Sequence, residues 1–366
     1  AFCSSVDPSG RRRKPQAGLQ PRRNGVIGMT QKLKLGLVFG GASSEYEVSL
    51  LSVSSVLANI DRTRYVIYRS GSKKDGRMFY YTGEDSCIAD DTWQDGRCVP
   101  CVLSPSREHH GFVILKERPE VVRLDCVFPV LHGKNGEDGT IQGLLTMAGI
   151  PFVGCGTLAS AACMDKATTH TLLDKAGVLG AKWRAVTMHA YQKNQAAFLD
   201  EVEHALGFPC FVKPANAGSS VGITKAADRD MLASAMELAF RHDAKVVVEE
   251  MLYGKEIECA VLGNEEPVAS CLGEIAPSND FYDYNAKYID GKTVTYVPAR
   301  ITEKESDEIR RIAVQAYQIM GCRGFARVDF FFSENGEIYL NEINTIPGFT
   351  SISMYPQLFV ASGVPY

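Results

Sequence analysis

No apolar run in this 366-residue chain approaches the roughly 20 residues that a membrane-spanning helix needs. Nor is there an excess of positive charge. The formal net charge is -4, which speaks against a nucleic-acid partner, because phosphate contacts demand a basic surface. No Gly-Lys-Ser/Thr falls within a G-x-x-x-x-G frame, so a Walker A phosphate loop is ruled out. The eleven cysteines are scattered. Cys98 and Cys101 make a lone C-x-x-C with no second pair at zinc-ligand spacing, which predicts free buried thiols rather than a metal knuckle. Ala1–Gly28 lacks the apolar core of a secretory signal and is instead rich in Arg, Pro, Gly and Ser. It is set aside as a disordered or non-native extension, residues 1–28, and the chain is expected in the cytoplasm.

What is present describes a globular protein. Hydrophobic residues make up 45% and charged residues 22%, and the length suits two or three domains. Leu33–Phe39 reads as a buried strand running into Gly40-Gly41 and a helix with apolar spacing from Ser49 to Ile60. Val121–Leu131 and Ile150–Val153 read as further strands, the first followed by a glycine-dense loop and a helix from Thr140. Strands alternating with helices predict a parallel α/β domain over residues 29–154, with Asp85–Arg118 left unassigned. Beyond it, strands and helices suit two α+β units, residues 155–245 and 246–366. Pro277–Pro298 is a long, polar, aromatic segment of the kind that closes over a site.

Four segments carry chemistry. Ala217–Gly222 is a Gly/Ser loop after a strand presenting Lys213; such loops bring backbone N–H groups and hydroxyls to an anion, although a plain hairpin turn has the same composition. Arg327-Val328-Asp329 and Asn341-Glu342-Ile343-Asn344 lie on two strands. Alternation puts Arg327 with Asp329 on one face, and Glu342 with Asn344 on one face. Two carboxylates and an amide oxygen form the hard-oxygen set that Mg²⁺ prefers when phosphates complete its shell. Thr345–Ser351 follows as a turn able to hold a substrate. In Gly40–Ser49, Glu45 stands near a helix start, where a capping carboxylate is the plain reading. His132–Gly139 is glycine-dense, suiting close backbone approach.

Together these segments resemble the D-alanine–D-alanine ligase family of the ATP-grasp fold. The likeness runs from Lys34 to Tyr366 and is carried by Gly40–Ser49, Leu131–Gly139 with Gln142-Gly143, Cys163-Met164-Asp165-Lys166, Val212–Gly222, Phe281–Tyr288, Arg327-Val328-Asp329 and Asn341–Ser353. The resemblance implies a three-domain α/β ATP-grasp enzyme whose two α+β subdomains sandwich ATP, acting in peptidoglycan synthesis, dimeric as the family is. It implies that Lys166, Lys213 and Ser220 hold the phosphates, with Lys287 beside them. Glu249 and Leu252 would line the adenine pocket and Glu256 the ribose. Asp329, Glu342 and Asn344 would bind two Mg²⁺ ions, for which Mn²⁺ can substitute. Glu45, linked to Ser219 and Tyr288, would meet the first substrate's ammonium near His132. Arg327 and Gly348 would stabilise the oxyanion, while Ser353 and Met354 receive the second amino acid.

The product stays open between two readings. Lys287-Tyr288 and the apolar Met354 point to the D-alanyl-D-alanine dipeptide; Glu45–Ser49 and His132–Gly136 also resemble D-alanine–D-serine ligases. Other readings are a nonenzymatic nucleotide-binding regulator and a carboxylate–amine ligase akin to biotin carboxylase or glutathione synthetase. Glu45, Asp329, Glu342 and Asn344 argue against the first, and the Glu45–Ser219–Tyr288 set against the second. Two departures stand out. Val66–Gly71 is shorter than the family's strand and turn, predicting a disturbed N-terminal sheet, and the chain stops at Val364-Pro365-Tyr366, where the family continues into a final helix.

Overall fold

The computed structural model describes residues 31–276, 294–350 and 352–366. Three sheets organise these residues. In the first, β1 (Leu33–Gly40) lies between β2 (Tyr65–Ser72) and β7 (Cys126–Val130), parallel to both. The sheet then continues antiparallel through β3 (Met78–Tyr81), β4 (Cys98–Leu103), β5 (Gly111–Ile114) and β6 (Glu120–Arg123). The expectation of a parallel sheet therefore holds only for β2, β1 and β7. Residues 73–77 are too few to carry the crossover that a parallel neighbour requires, so the chain turns straight back.

Other expectations shift in detail. The run Val121–Leu131 is two strands, broken where Asp125 takes the Lys34 N–H on its side chain at 2.7 Å. Ile150–Val153 supplies only an isolated bridge, Phe152 to Val127. The short Val66–Gly71 stretch disturbs nothing, because β2 pairs with β1 along its whole length, from Leu33↔Tyr65 to Gly40↔Ser72. Cys98 and Cys101 lie on β4 as free thiols.

Helical periodicity decides how the faces are covered. On α1 (Tyr46–Asn59), Tyr46, Leu50, Val53 and Leu57 fall on one stripe and pack against Leu35, Leu37 and Phe39. After α2 (Ser86–Ala89), α3 (Thr140–Ala148) covers the opposite face with Ile141 and Leu145 over Val38 and Val127. Then come α4 (Thr157–Met164), α5 (Lys166–Lys175) and α6 (Met188–Lys193).

The second sheet has the order β10 (Thr224–Ala226), β9 (Cys210–Pro214), β11 (Lys245–Glu250), β8 (Trp183–Thr187), all antiparallel. Val202 of α7 (Gln195–Ala205) and Leu232 and Met236 of α8 (Arg229–Ala239) fill its core. The third sheet orders as β14 (Val294–Tyr296), β13 (Val268–Ala276), β12 (Lys255–Leu262), β15 (Phe325–Phe332), β16 (Ile338–Asn344). A Thr302–Glu305 capping box starts α9 (Glu303–Ile319), which packs with α4 and α5 on one face of this sheet. On the other face lies α10 (Met354–Ala361), which the sequence reading did not assign; Pro356 falls in its first turn, where proline removes no needed hydrogen bond. No helix among the described residues is long and apolar enough to cross a membrane.

Two contacts hold the first sheet where the third can use it. Phe128 of β7 meets Phe325 of β15 and Phe349 edge-on, with ring centroids 6.0 and 5.9 Å away. Within the first domain, the fully buried Ser49 Oγ accepts the Gly40 N–H at 2.8 Å and donates to the Val130 carbonyl, tying the ends of β1 and β7 to α1. Ser49→Ala orphans both backbone groups. Urea unfolding should show a loss of about 1–3 kcal/mol; an unchanged midpoint would mean that the strand ends do not depend on this hydroxyl.

Candidate active site

The loops at the carboxyl ends of β1 and β7, the Gly/Ser loop after β9 and the turn after β16 converge on two adjoining clefts. One lies between the second and third sheets and includes Lys166, Lys213, Ser220, Glu249, Leu252 and Glu256 in its lining. The other lies between the first and third sheets and includes His132, Arg327, Gly348, Ser353 and Met354. Both are walled by Glu45, Glu137, Ser219, Glu342 and Asn344, so the clefts meet at three carboxylates, a hydroxyl and an amide.

Glu45 sits at that junction. It precedes the first turn of α1, yet its side chain makes no cap bond; its Oε1 accepts instead from the Ser219 hydroxyl of the Gly/Ser loop. Two glycines make this reach possible. A Cβ at Gly133 or Gly218 would stand 2.3 or 2.6 Å from Glu45 Oε2, and Gly133 also has a φ of +70°. Ser219 and Ser220 both hold left-handed backbone, φ 48° and 59°, the kind of strained turn that aims successive N–H groups at one point.

The first cleft suits a polyanion with an apolar tail. Asp165 caps α5 by accepting the Thr168 N–H at 2.9 Å, which starts the helix at Lys166 and turns its ammonium to the Ala217 carbonyl at 2.8 Å. Lys213 Nζ donates to Glu249 Oε2 at 2.6 Å, and His170 Nε2 donates to Glu249 Oε1 at 2.9 Å. Burial works to raise the Glu249 carboxyl, but the Lys213 charge and the His170 bond outweigh it and hold the group well below the usual carboxylate range. Phe211, Met251, Leu252, Phe331 and Ile343 supply an apolar wall.

Across the third sheet the predicted cluster assembles as alternation requires. Arg327 pairs in register with Asn344, and Asp329 with Glu342. Arg327 grips Asp329 through two bonds, 2.7 and 2.6 Å, and reaches Glu258 of β12 at 3.1 Å; Asn344 Nδ2 donates to Asp329 at 2.9 Å. Among the described residues no three His, Cys, Asp or Glu groups stand at metal-ligand geometry. The set is two carboxylates and an amide, a donor chemistry that suits Mg²⁺ with phosphate oxygens completing the shell.

The first domain contributes its histidine in one tautomer. His132 Nδ1 donates to the Ile346 carbonyl at 2.9 Å, so Nε2 accepts from the Ser52 hydroxyl at 2.9 Å, and Ser52 also takes the Phe349 N–H at 3.2 Å. Burial, helped by the nearby Arg327 charge, lowers the imidazole to about 4. Glu137 accepts from the Gly133 N–H at 2.8 Å and the Ile346 N–H at 2.9 Å, joining the same two loops. Burial first, then the like charge of Glu45, push it up to about 8. Ser353 Oγ accepts the Thr350 N–H at 3.0 Å, and Gly348 leaves it room, since a Cβ there would come within 2.7 Å. Met354 lines the second cleft but turns its thioether onto β13, where a Cβ at Gly273 would meet its Cε at 2.0 Å.

Most predicted residues thus come together. Lys287, Tyr288 and most of Pro277–Pro298 lie outside the described residues. Four residues escaped the sequence reading, and three had a signal. His170 stands one turn from Lys166 on α5, Glu258 two residues from Glu256 on a strand, and Glu137 inside the glycine-dense loop. Ser52 had none, being a serine amid the apolar spacing of α1.

Comparison with known proteins points to one family. Residues 34–155 match the family described as D-ala D-ala ligase N-terminus, and residues 172–366 match D-ala D-ala ligase C-terminus. A D-alanine--D-alanine ligase of Caldicellulosiruptor bescii is 45% identical over 337 residues, covering 92% of each chain. One from Acetivibrio thermocellus is 45% identical over 352 residues, 92% of this chain and 94% of that one. Among solved structures, the VanG D-Ala:D-Ser ligase from Enterococcus faecalis has a TM-score of 0.84 at 44% identity, covering 92% of this chain and 96% of that one. The D-alanine-D-alanine ligase from Coxiella burnetii has a TM-score of 0.78 at 32% identity, covering 91% of each.

The neutral His132 makes a prediction about acid. Its folded value, about 4, lies below the ordinary 6.5, so the unfolded chain binds the extra proton between them. Its contribution to stability is complete above 6.5 and is lost as pH falls toward 4. The stability gap between the native chain and His132→Gln, measured in urea, should narrow across that window. A constant gap would show that the imidazole does not titrate in this way.

Proposed function

The chain belongs to the D-alanine–D-alanine ligase family, and from that premise we propose that it joins two D-alanine molecules at the expense of ATP, through an acyl phosphate. The observation that carries this reading is the junction of the clefts. A nucleotide in one and an amino acid in the other would bring a phosphoryl group and a carboxylate together beside Glu45, Ser219, Glu342 and Asn344.

The roles follow from charge. Lys166, Lys213 and the strained Ser219-Ser220 turn hold phosphate oxygens, Leu252 and its apolar neighbours the adenine, and Glu256 the ribose. Glu45 receives the ammonium of the first D-alanine. A carboxylate oxygen of that D-alanine attacks the γ-phosphorus and ADP leaves, giving an acyl phosphate. The amine of the second D-alanine, bound near Ser353, then adds to the acyl carbon. Arg327 and the Gly348 N–H steady the oxyanion until phosphate departs. Asp329, Glu342 and Asn344 would hold Mg²⁺, which supplies charge neutralisation to the transferring phosphate. His132, held neutral, orients the first-substrate loop without adding a charge. The product suits peptidoglycan synthesis, and a cytoplasmic location follows from the ATP consumed.

D-Serine as the second substrate is the other reading. The TM-score to a D-Ala:D-Ser ligase favours it, as do the hydroxyls of Thr350 and Ser353 in the second cleft. D-Alanine is preferred here because the same cleft also presents the apolar Val48, Leu51 and Ile352. Phosphate release from ATP and Mg²⁺, with products weighed by mass spectrometry, separates the two. D-Alanine alone should give D-alanyl-D-alanine, and an equimolar mixture with D-serine should still give mainly that product. A predominance of the mixed dipeptide would move the assignment. No phosphate release with either amino acid would end the ligase reading. In the same assay Glu45→Gln should raise the first KM for D-alanine roughly tenfold or more, since a bond to a charged partner is lost. An unchanged KM would remove Glu45 from the ammonium site.

A further inference from the structure

His170 has no part in the roles above, yet its geometry within the first cleft is closely defined. It lies on α5 one turn beyond Lys166 and is 4% exposed. Its ring stacks on Trp183 of β8, with centroids 5.3 Å apart and planes at 17°, and the indole N–H of Trp183 is anchored on Asp174 at 2.8 Å. Behind the ring, a Cβ at Gly180 would lie 3.5 Å from Nδ1, so the imidazole fills its slot. From that fixed ring, Nε2 donates to Glu249 Oε1 at 2.9 Å, while Glu249 Oε2 holds Lys213 Nζ at 2.6 Å. Trp183, His170, Glu249 and Lys213 therefore form one chain of contacts across α5, β8, β11 and β9.

The order of the links matters. A lysine ammonium is a compact charge on a flexible stem and has no preferred direction of its own. A carboxylate held by that ammonium alone could rotate with it. A second donor, rigid and on the opposite oxygen, removes this freedom. When phosphate oxygens enter, Lys213 shares its hydrogens between them and Glu249, and the His170 bond on the other oxygen keeps the buried carboxylate in place against that competition.

We propose that His170 is a positioning residue for nucleotide binding, fixing the Glu249 carboxylate and, through it, the Lys213 ammonium where the phosphates enter. This inference rests on the reading of the cleft as an ATP site.

The test is calorimetric titration of ATP with Mg²⁺ into the native chain, His170→Phe, His170→Gln, Lys213→Met and the double variant His170→Phe/Lys213→Met, with circular dichroism to verify folding. His170→Phe keeps ring volume and the stack on Trp183 but has no donor; it should weaken ATP binding roughly ten- to a hundredfold. His170→Gln, with an N–H able to reach Glu249, should recover most of that loss. The double variant should bind no more weakly than Lys213→Met alone, because the histidine acts through the lysine. In steady state the KM for D-alanine should stay unchanged. Native affinity in folded His170→Phe, equal losses in His170→Phe and His170→Gln, or losses that multiply in the double variant would each overturn the proposal. A native chain that binds no ATP would overturn the ATP-site reading and this proposal together, so the two failures are distinguishable.

Discussion

Glu45 is a carboxylate buried between domains, and burying a carboxylate costs several kcal/mol unless the surroundings meet it with donors. That requirement draws the molecule together. The carboxylate leaves the first domain, passes between Gly133 and Gly218 where no side chain could stand, and takes the Ser219 hydroxyl from the second sheet's loop. The loop that supplies Ser219 also supplies Ser220 and the Ala217 carbonyl that holds Lys166. One buried charge thus ties together the loops that wall the two clefts. The strained backbone at Ser219 and Ser220 fits a loop held to that position by its contacts rather than by its own preferences.

The same logic recurs on the third sheet with the sign reversed. Arg327 is a half-buried cation among Glu258, Asp329 and Glu342, and its charge is matched before any substrate arrives. The first domain reaches this sheet through neutral and shared groups: the uncharged His132 and the two N–H bonds to Glu137. Charge in this site is concentrated where phosphate and carboxylate would meet, and the supporting contacts around it are hydrogen bonds and aromatic edges.

Much of this was legible in the sequence because it depended on period and spacing. Alternation placed Arg327 with Asp329 and Glu342 with Asn344, and the register of β15 and β16 then brought the four together. The resemblance pointed to Lys166, Lys213 and Ser220, which line one cleft, and to His132, Arg327 and Ser353, which line the other, but not to Glu137, His170 or Glu258. What escaped depended on three-dimensional neighbours. Nothing local says that Glu45 declines its capping role for a serine in another domain, or that Met354 turns to the space over Gly273. The antiparallel extension of the first sheet was hidden because its apolar strands, Met78–Tyr81, Cys98–Leu103 and Gly111–Ile114, are short and set between polar stretches, and α10 by an apolar run with a proline in its first turn.

Clefts that meet as these do would let a substrate carboxylate attack the nucleotide's terminal phosphorus. D-Alanine labelled with ¹⁸O in its carboxylate tests this directly. One carboxylate oxygen should leave with phosphorus, so inorganic phosphate should carry one labelled atom for each dipeptide formed. Phosphate free of label, with dipeptide still produced, would mean that the carboxylate is activated some other way and that the junction of the clefts does not do what its geometry suggests.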